Sequence, residues 1–456
     1  MQGLARICAA AGGVLLLLSV PTYASNGIED IGATVRQLSR GGTFIAAEPD
    51  AGALMGNPAA LAFLKQAELY GDLRVWGSSL DYHGALNGLG QQERYVLPNL
   101  AYAEPTSDNF AWGAGVFTSV NSAYRVHDYD LSVLGSPAGL TDRTSTKVRL
   151  VLFAPGVAYK LNDRTAVGAA LHYTNGSADF QAYDMLGQTL GFSLGELSGE
   201  GWALRTGVYH RASEDTVIGA YWRSRTHLDI HDGVLQVPAT QAQQAPTQIP
   251  GTGVKGFQFP EQYGVGISQQ LGTEWTALAE YRRLLWGEGS SEVSFVPPQG
   301  DPLSIAMDWC NQDVYAIGAE YRPGGSDNQI WRFGVNYAES PVPDHTLNPL
   351  YPAISEWHYT AGWERKLNDH LSLVTGAVYM PEVTRSSSAD NSFNALLGAG
   401  QPYSLSTDSW QFGLGLSWSF GTDEEEDCAP PDCQETCPVC YTVDGMEYRS
   451  SASLDN

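Results

Sequence analysis

The chain is short of charge and of cysteine, and beyond its first two dozen residues it has no long apolar run. Charged residues fill 16% of the 456 positions, against about 25% in an ordinary soluble domain. Lys and Arg number 25 against 50 Asp and Glu, a formal charge of -25. That balance argues against nucleic-acid binding, which needs basic side chains to displace counterions. Past Ala24 no stretch of about 18 apolar residues occurs, which excludes helical membrane spans. Of the six cysteines, Cys8 lies in the leader, Cys310 stands alone, and Cys428, Cys433, Cys437 and Cys440 crowd near the end. The body of the chain therefore does not depend on disulfides. Aromatics, by contrast, are abundant at 12 Trp, 23 Tyr and 14 Phe, which excludes disorder throughout. Glycine supplies 50 residues, above an average usage of about 7%. Low charge with much glycine and many aromatics suits a β-barrel, whose strands alternate apolar and polar residues.

The N-terminus reads as an export signal. Met1 to Arg6 carries one base, Val14 to Leu18 is apolar, and Thr22-Tyr23-Ala24 offers a small-residue cleavage site. The expectation is a signal peptide over 1–24, cut after Ala24. A retained anchor is the alternative, but the apolar part is shorter than a span of about 20 residues. No lipid-attachment cysteine stands at the cleavage point.

After residue 65 the dominant period is two. In Trp410–Phe420 one face carries Trp410, Phe412, Leu414, Leu416, Trp418 and Phe420, and the other carries Gln411, Gly413, Gly415, Ser417 and Ser419. Trp331–Ala338 and Trp357–Glu364 alternate in the same way. Large residues over a band of about 10 positions, with aromatics at the ends, are what a tilted membrane strand needs. The pattern predicts strands near 67–80, 94–104, 109–119, 149–161, 164–175, 201–212, 215–228, 257–271, 274–286, 312–322, 330–339, 356–367, 370–380 and 409–420. These make an all-β fold, a transmembrane antiparallel barrel of about 14 strands over 65–420. Short turns such as Asn162-Asp163 and Asn368-Asp369 alternate with long external loops near 120–148, 176–200, 229–256, 287–311, 340–355 and 381–408. The stretch Gln236–Pro250 is polar and interrupted by proline, so no secondary structure is expected there. An even strand count puts both termini on the periplasmic side of a bacterial outer membrane.

A barrel this wide is not filled by its own side chains. Residues 25–64 lack barrel alternation and are the right size for an internal plug, with a flexible periplasmic arm as the alternative. Within them stand Ser39-Arg40-Gly41-Gly42-Thr43, Asp50-Ala51-Gly52-Ala53 and Asn57-Pro58-Ala59-Ala60-Leu61. This resembles the N-terminal hatch of the FadL-type outer-membrane transporters of long-chain fatty acids, a family that also includes channels for aromatic hydrocarbons. Further stretches resemble the family in order. These are Phe153–Leu161, Tyr221–Arg225, Phe259–Gly266, and Arg332–Tyr337 leading into Ser340-Pro341-Val342-Pro343-Asp344. By that resemblance Asn57, Pro58 and Ala59 belong to the hatch and Arg40, Gly41 and Gly42 support it, with an immobile packed plug as the alternative. Phe420 ends the last strand as a terminal aromatic assembly signal does. The chain departs from the pattern by continuing over 421–456.

That tail holds ten acidic residues and one base, Arg449. In an oxidising periplasm its four cysteines are expected to form two disulfides, with three pairings open. A small metal site using Cys437 and Cys440, or a plain solvated tail, are the alternatives, and a periplasmic partner would fit the acidic charge. His227, Asp229 and His231 would share one strand face, as a metal site or as a polar rim. No catalytic motif, phosphate loop or cofactor fingerprint is present, so no cofactor and no catalytic residue is expected. An acyl chain of about 15 methylenes gains roughly 12 kcal/mol on leaving water, at ~0.8 kcal/mol each. The expected function is passive transport of such hydrophobic ligands across the outer membrane, whose lipid surrounds the barrel. By the family resemblance, long-chain fatty acids come first and aromatic hydrocarbons second, and the resemblance implies loop capture, hatch movement and lateral exit. A surface receptor or adhesion barrel and a lipid-acting barrel enzyme are the rivals.

Overall fold

A computed structural model of the chain describes residues 26–420 except positions 87, 91–92, 131, 133–140, 183–191, 238–246, 290 and 395–399, and describes 442–443 and 446–447 of the tail. The expected signal peptide and the four tail cysteines lie outside the described residues. The tail forms a separate unit, in which Thr442–Val443 pairs with Met446–Glu447.

In lipid, the backbone N–H and C=O groups of neighbouring strands are all paired only if the sheet closes on itself. Here it does. Grouped by their partners, the described strands make fourteen: β1 (Ala67–His83), β2 (Glu93–Ser107), β3 (Phe110–Asp130), β4 (Thr141–Phe153 and Gly156–Asn162), β5 (Thr165–Ala182), β6 (Phe192–Arg211), β7 (Thr216–Arg223 and Thr226–Val237), β8 (Thr247–Lys255, Gln258–Phe259 and Gln262–Leu271), β9 (Trp275–Leu284 and Glu292–Val296), β10 (Leu303–Ala306 and Gln312–Tyr321), β11 (Gln329–Ala338), β12 (Trp357–Lys366), β13 (Leu371–Ser386) and β14 (Ser404–Phe420). Each pairs antiparallel with the next, and β14 returns to β1 with Phe420 opposite Ala67.

The outer face is the apolar one. Leu414 and Leu416 on β14, Val265 and Ile267 on β8, and Ile317 on β10 all face outward and are exposed. Aromatic residues border this band. Trp112, Trp275, Trp331 and Trp418 stand toward the short turns, and Trp202, Trp222, Trp357 and Tyr379 toward the long connections. Such a band with two aromatic girdles is the surface that a bilayer solvates.

Five of the six expected loops are shorter than predicted, the connection near 340–355 being the exception. β3 continues to Asp130, β4 begins at Thr141, β5 reaches Ala182 and β6 begins at Phe192. Gln236–Pro250, expected to be irregular, instead places Gln236 and Val237 in β7 and Thr247–Pro250 in β8, with Val234 opposite Pro250 at a register shift. The reason is physical. Beyond the lipid the outer face meets water, so the apolar alternation disappears while the hydrogen-bonded ladder runs on. Proline is tolerated where the ladder is already irregular.

The segment 26–64 lies inside this barrel, against the inward faces of its strands. It contains a helix, α1 (Val35–Ser39), and two 3-10 turns, Ala51–Leu54 and Pro58–Phe63. Five residues make too few turns to hold a helix alone, so α1 depends on its caps and on the wall. The Thr34 hydroxyl accepts from the Gln37 amide at 3.3 Å. At the other end Gly41 and Gly42 take φ of 74° and 73°, the left-handed turn that ends helices.

Candidate functional site

The lumen holds two different environments stacked along the barrel. Nearer the short turns, the N-terminal segment sits in a polar seat. Arg36 donates to Glu364 at 2.6 and 3.0 Å and to Glu68 at 2.5 Å, with Asp50 3.8 Å away. Arg332, on β11 beside Glu320 on β10, bridges Glu364 at 2.7 Å and Glu320 at 3.0 Å. Arg40 reaches Glu320 at 3.0 Å, and Arg322 joins Glu320 to Glu48 at 2.9 and 2.6 Å. The result is one buried network running from β1 through the segment to β10, β11 and β12. Each charge in it has an opposite partner, which is the condition for tolerating ions away from water. Burial raises the Asp50 carboxyl to about 6, opposed by Arg36 and reinforced by the like charge of Glu68.

Backbone contacts tighten the seat. The Val35 amide donates to Asp72 at 3.0 Å, Ala51 to Glu68 at 2.7 Å, and Phe44 to Glu280 at 2.5 Å. Close approach needs bare wall. A Cβ on Gly334 would stand 2.2 Å from the Gly41 nitrogen, and one on Gly168 would stand 2.4 Å from that of Ala59. The inward glycines of the barrel therefore make room for the segment's main chain. Ala101, Ala103, Ala111, Ala154, Ala158 and Ala166 form a similarly small-residue wall around the 3-10 turns.

The residues singled out from the sequence fall within this seat. Asn57 donates to the carbonyls of Ile45 at 2.9 Å and of Val208 on β6 at 2.8 Å, while its own oxygen caps the Ala59 amide at 3.2 Å. Pro58 and Ala59 open the second 3-10 turn and are buried. The Gly41 amide donates to the Thr360 hydroxyl at 2.8 Å, and its carbonyl accepts from Asn336 at 3.1 Å. Phe420 faces outward on β14, stacked on Trp418. His227, Asp229 and His231 share the exposed outward face of β7, where His231 lies 2.7 Å from Asp232. No cluster of three metal-ligating side chains occurs among the described residues.

Toward the long connections the inward face changes character. Leu80, Leu150, Phe180, Leu228, Leu284 and Phe295 pack inward into one apolar cluster, the chamber of this barrel, to which most of the wall contributes and which side chains fill. Trp286 and Trp309 meet edge to face, with ring centroids 5.0 Å apart. The connection after β11, expected as an external loop near 340–355, is folded inward instead. Its Val342, Leu347, Leu350, Tyr351 and Ile354 are buried in the chamber. Thr346 donates to the Met307 carbonyl at 2.6 Å, and Tyr403 to that of Leu347 at 2.5 Å. Apolar residues in this connection can bury themselves only by turning into the lumen. At the mouth, Arg125, Lys147, Asp179 and Phe180 border a cavity of about 210 Å³.

The ion-pairing residues Arg36, Glu68, Glu320, Arg332 and Glu364 carry no motif. For the four on strands the one sequence signal is a charged residue at an inward position of an otherwise apolar-polar alternation; Arg36, in α1, has not even that.

A closed barrel with an apolar outer belt and an occupied lumen defines an outer-membrane β-barrel. The family model for outer membrane protein transport protein (OMPP1/FadL/TodX) matches residues 31–420, and the chain belongs to that family. Among curated relatives it is 21% identical over 354 residues to the long-chain fatty acid transport protein of Salmonella typhi, covering 72% of this chain and 75% of that one. It is 20% identical over 368 residues to the protein of the same name from Escherichia coli K12, covering 72% and 76%. Its fold is similar to that of the Pseudomonas putida toluene transporter TodX, with a TM-score of 0.71 and 18% identity over 86% of this chain and 99% of that one. It is likewise similar to a Pseudomonas aeruginosa FadL homologue, with a TM-score of 0.70 and 14% identity over 87% and 100%.

Proposed function

We propose that this protein passes hydrophobic small molecules, long-chain fatty acids first, passively across the outer membrane, and that it is not an enzyme. The observation that carries this reading is the stacking of an apolar chamber directly on a segment that lies inside the barrel and is held to its wall by ion pairs. A ligand leaving water gains in the chamber, and its next step requires the segment to shift. Residues 26–64 act as the hatch in this reading, with Asn57, Pro58 and Ala59 anchoring it to β6 and Arg40, Gly41 and Gly42 holding its turn to β10–β12. Exit is sideways. The β3 ladder shifts register between Thr118 and Val120, β4 breaks between Phe153 and Gly156, and Leu54 of the hatch packs against Gly156. Both termini are then periplasmic, Phe420 serves assembly, and the acidic tail meets a periplasmic partner.

Aromatic hydrocarbons are the second reading, favoured by the likeness to the toluene transporter fold. The test is uptake of labelled long-chain fatty acid by a host lacking its own transporter. Saturable uptake that depends on this protein and is altered by deleting 26–64 in an assembled barrel supports the proposal. Assembled protein without uptake removes fatty acids, and labelled toluene then tests the second reading.

A further inference from the structure

The outward face of β4 changes character where it leaves the lipid. Phe153 stands opposite Tyr173 on β5, and Tyr173 opposite Trp202 on β6, so these three mark the outer aromatic girdle in this sector. Beyond Phe153 the outward positions of β4 read Val151, Arg149, Lys147, Ser145 and Arg143. Outward positions two residues apart are separated by about 7 Å along a strand. With a barrel tilt of about 40°, Arg149 and Lys147 rise roughly 5 and 10 Å above Val151, the last apolar residue. A headgroup layer is about 5–8 Å thick on each side of a bilayer. Arg149 therefore sits at headgroup level on the face that lipid touches, and Lys147 reaches that level through its long stem.

The strand register gathers matching groups around these bases. Arg125 on β3, Ser145 on β4, Gln181 on β5 and Ser193 on β6 stand in one row. With Lys147 they border the cavity of about 210 Å³ at the mouth. Among the described residues Lys147 and Arg149 make no hydrogen bond and no ion pair. Asp179 is opposite Lys147 in the strand pairing, but it accepts from the Glu196 amide at 3.1 Å. Four bases on one outward patch are a large share for a chain with 25 Lys and Arg and a formal charge of -25. The same end of β1, β13 and β14 carries acids instead, Asp81, Glu382 and Asp408. Charge at the outer rim is thus divided into sectors.

We propose that Arg125, Lys147 and Arg149 form a docking site for the phosphate groups of a phosphorylated glycolipid of the outer leaflet. Its acyl chains lie against Val151 and Phe153, and its sugar hydroxyls meet Ser145, Gln181 and Ser193. Charge complementarity selects this occupant, since bases beside a bilayer draw anionic headgroups to them. Arg149 adds geometry, because a guanidinium grips phosphate through two parallel N–H donors. The acidic sector on β1, β13 and β14 repels the same headgroups, so one side of the barrel acquires a fixed lipid neighbour. The inference concerns the belt outside the wall. It rests on the orientation with the long connections outside the cell and leaves the passage of ligands through the lumen untouched.

The test is equilibrium binding of labelled lipid A to full-length protein in an uncharged detergent. The diphosphorylated form is compared with the dephosphorylated form, which shares its acyl chains and sugars. Assembly is checked by heat-modifiable mobility. The wild type is expected to prefer the diphosphorylated form by about tenfold or more, and each of Lys147→Gln and Arg149→Gln is expected to lower that preference about fivefold. Arg283→Gln removes an outward base of β9 already matched by Asp313 at 2.8 Å and is expected to leave the preference unchanged. Equal binding of both forms by assembled wild type overturns the site. So does a preference retained in full by both Lys147→Gln and Arg149→Gln, or one that falls as far in Arg283→Gln. A tighter hold on phosphatidylglycerol than on diphosphorylated lipid A overturns the assignment to outer-leaflet glycolipid.

Discussion

The two halves of the lumen share the same strands and solve opposite problems. In the seat, charges on β1, β10, β11 and β12 are buried and each is matched, and the N-terminal segment supplies the missing partners. In the chamber the wall presents large apolar side chains, Leu80 on β1, Phe180 on β5 and Phe295 on β9 among them, and polar atoms there are left without partners, as with the Tyr351 hydroxyl and the Trp286 and Trp309 indoles. The difference teaches that polarity is the adhesive at one level of this barrel and a liability at the other. A seat held by matched charges can be taken apart by offering an alternative ion. A chamber held by apolar contact accepts anything apolar.

The largest effect is expected where the seat's room is removed. In Gly334→Leu the new side chain meets the main chain at Gly41 and Arg40, which cannot yield, so segment and wall no longer fit. Planar-bilayer recordings are expected to show an ionic conductance step that the wild type lacks. Next comes Glu364→Ala, which strips a shared partner from Arg36 and Arg332 and is expected to cost 3–5 kcal/mol, about the price of breaking a buried pair, read as a lower urea midpoint. Tyr351→Phe in the chamber should act in the opposite direction. Burial holds that hydroxyl well above its ordinary pKa with no hydrogen bond in return, so its removal is expected to be neutral or to stabilise by up to about 1 kcal/mol. A loss like that of Glu364→Ala would erase the contrast between the halves.

The smallest effect is one of pH. Burial raises the Asp50 carboxyl to about 6 when folded, against an ordinary 3.8, so the folded protein binds more protons between those limits. Its contribution therefore favours folding increasingly as pH falls through about 6 and levels off below about 4. The melting temperature is expected to rise from pH 8 to pH 5 in the wild type, and that rise should shrink in Asp50→Asn.

Much of this architecture was legible in the sequence because lipid imposes a strict rule on the outer face. Residues such as Leu414, Leu416 and Trp418 must be apolar, and the period of two follows, which is why fourteen strands could be counted. Above the bilayer no such rule applies, and there the ladder of β7 and β8 ran on through Gln236 and Pro250 unseen. The inward face obeys a rule that sequence hides. Arg36 and Glu364 satisfy each other across 328 positions, and nothing near either residue announces the other. The inward-folded connection at 342–354 was missed for a related reason, since the prolines and polar residues around it look like those of any exposed loop.

The seam between β1 and β14 has a consequence for how the molecule is made. The segment 26–64 is synthesised before every strand, and only a few residues join it to β1. Yet, beyond Glu68 and Asp72 on β1, many of the carboxylates and glycines that receive it lie on β9, β10, β11, β12 and β14. Contacts so distant along the chain form slowly, because the entropy of closing the loop must be met first. Its partners on the late strands are therefore complete only when nearly the whole wall exists, at about the time Phe420 pairs with Ala67. Insertion into the membrane is in this sense a packing operation with a deadline, and the last hydrogen bonds of the sheet close it with its contents already inside.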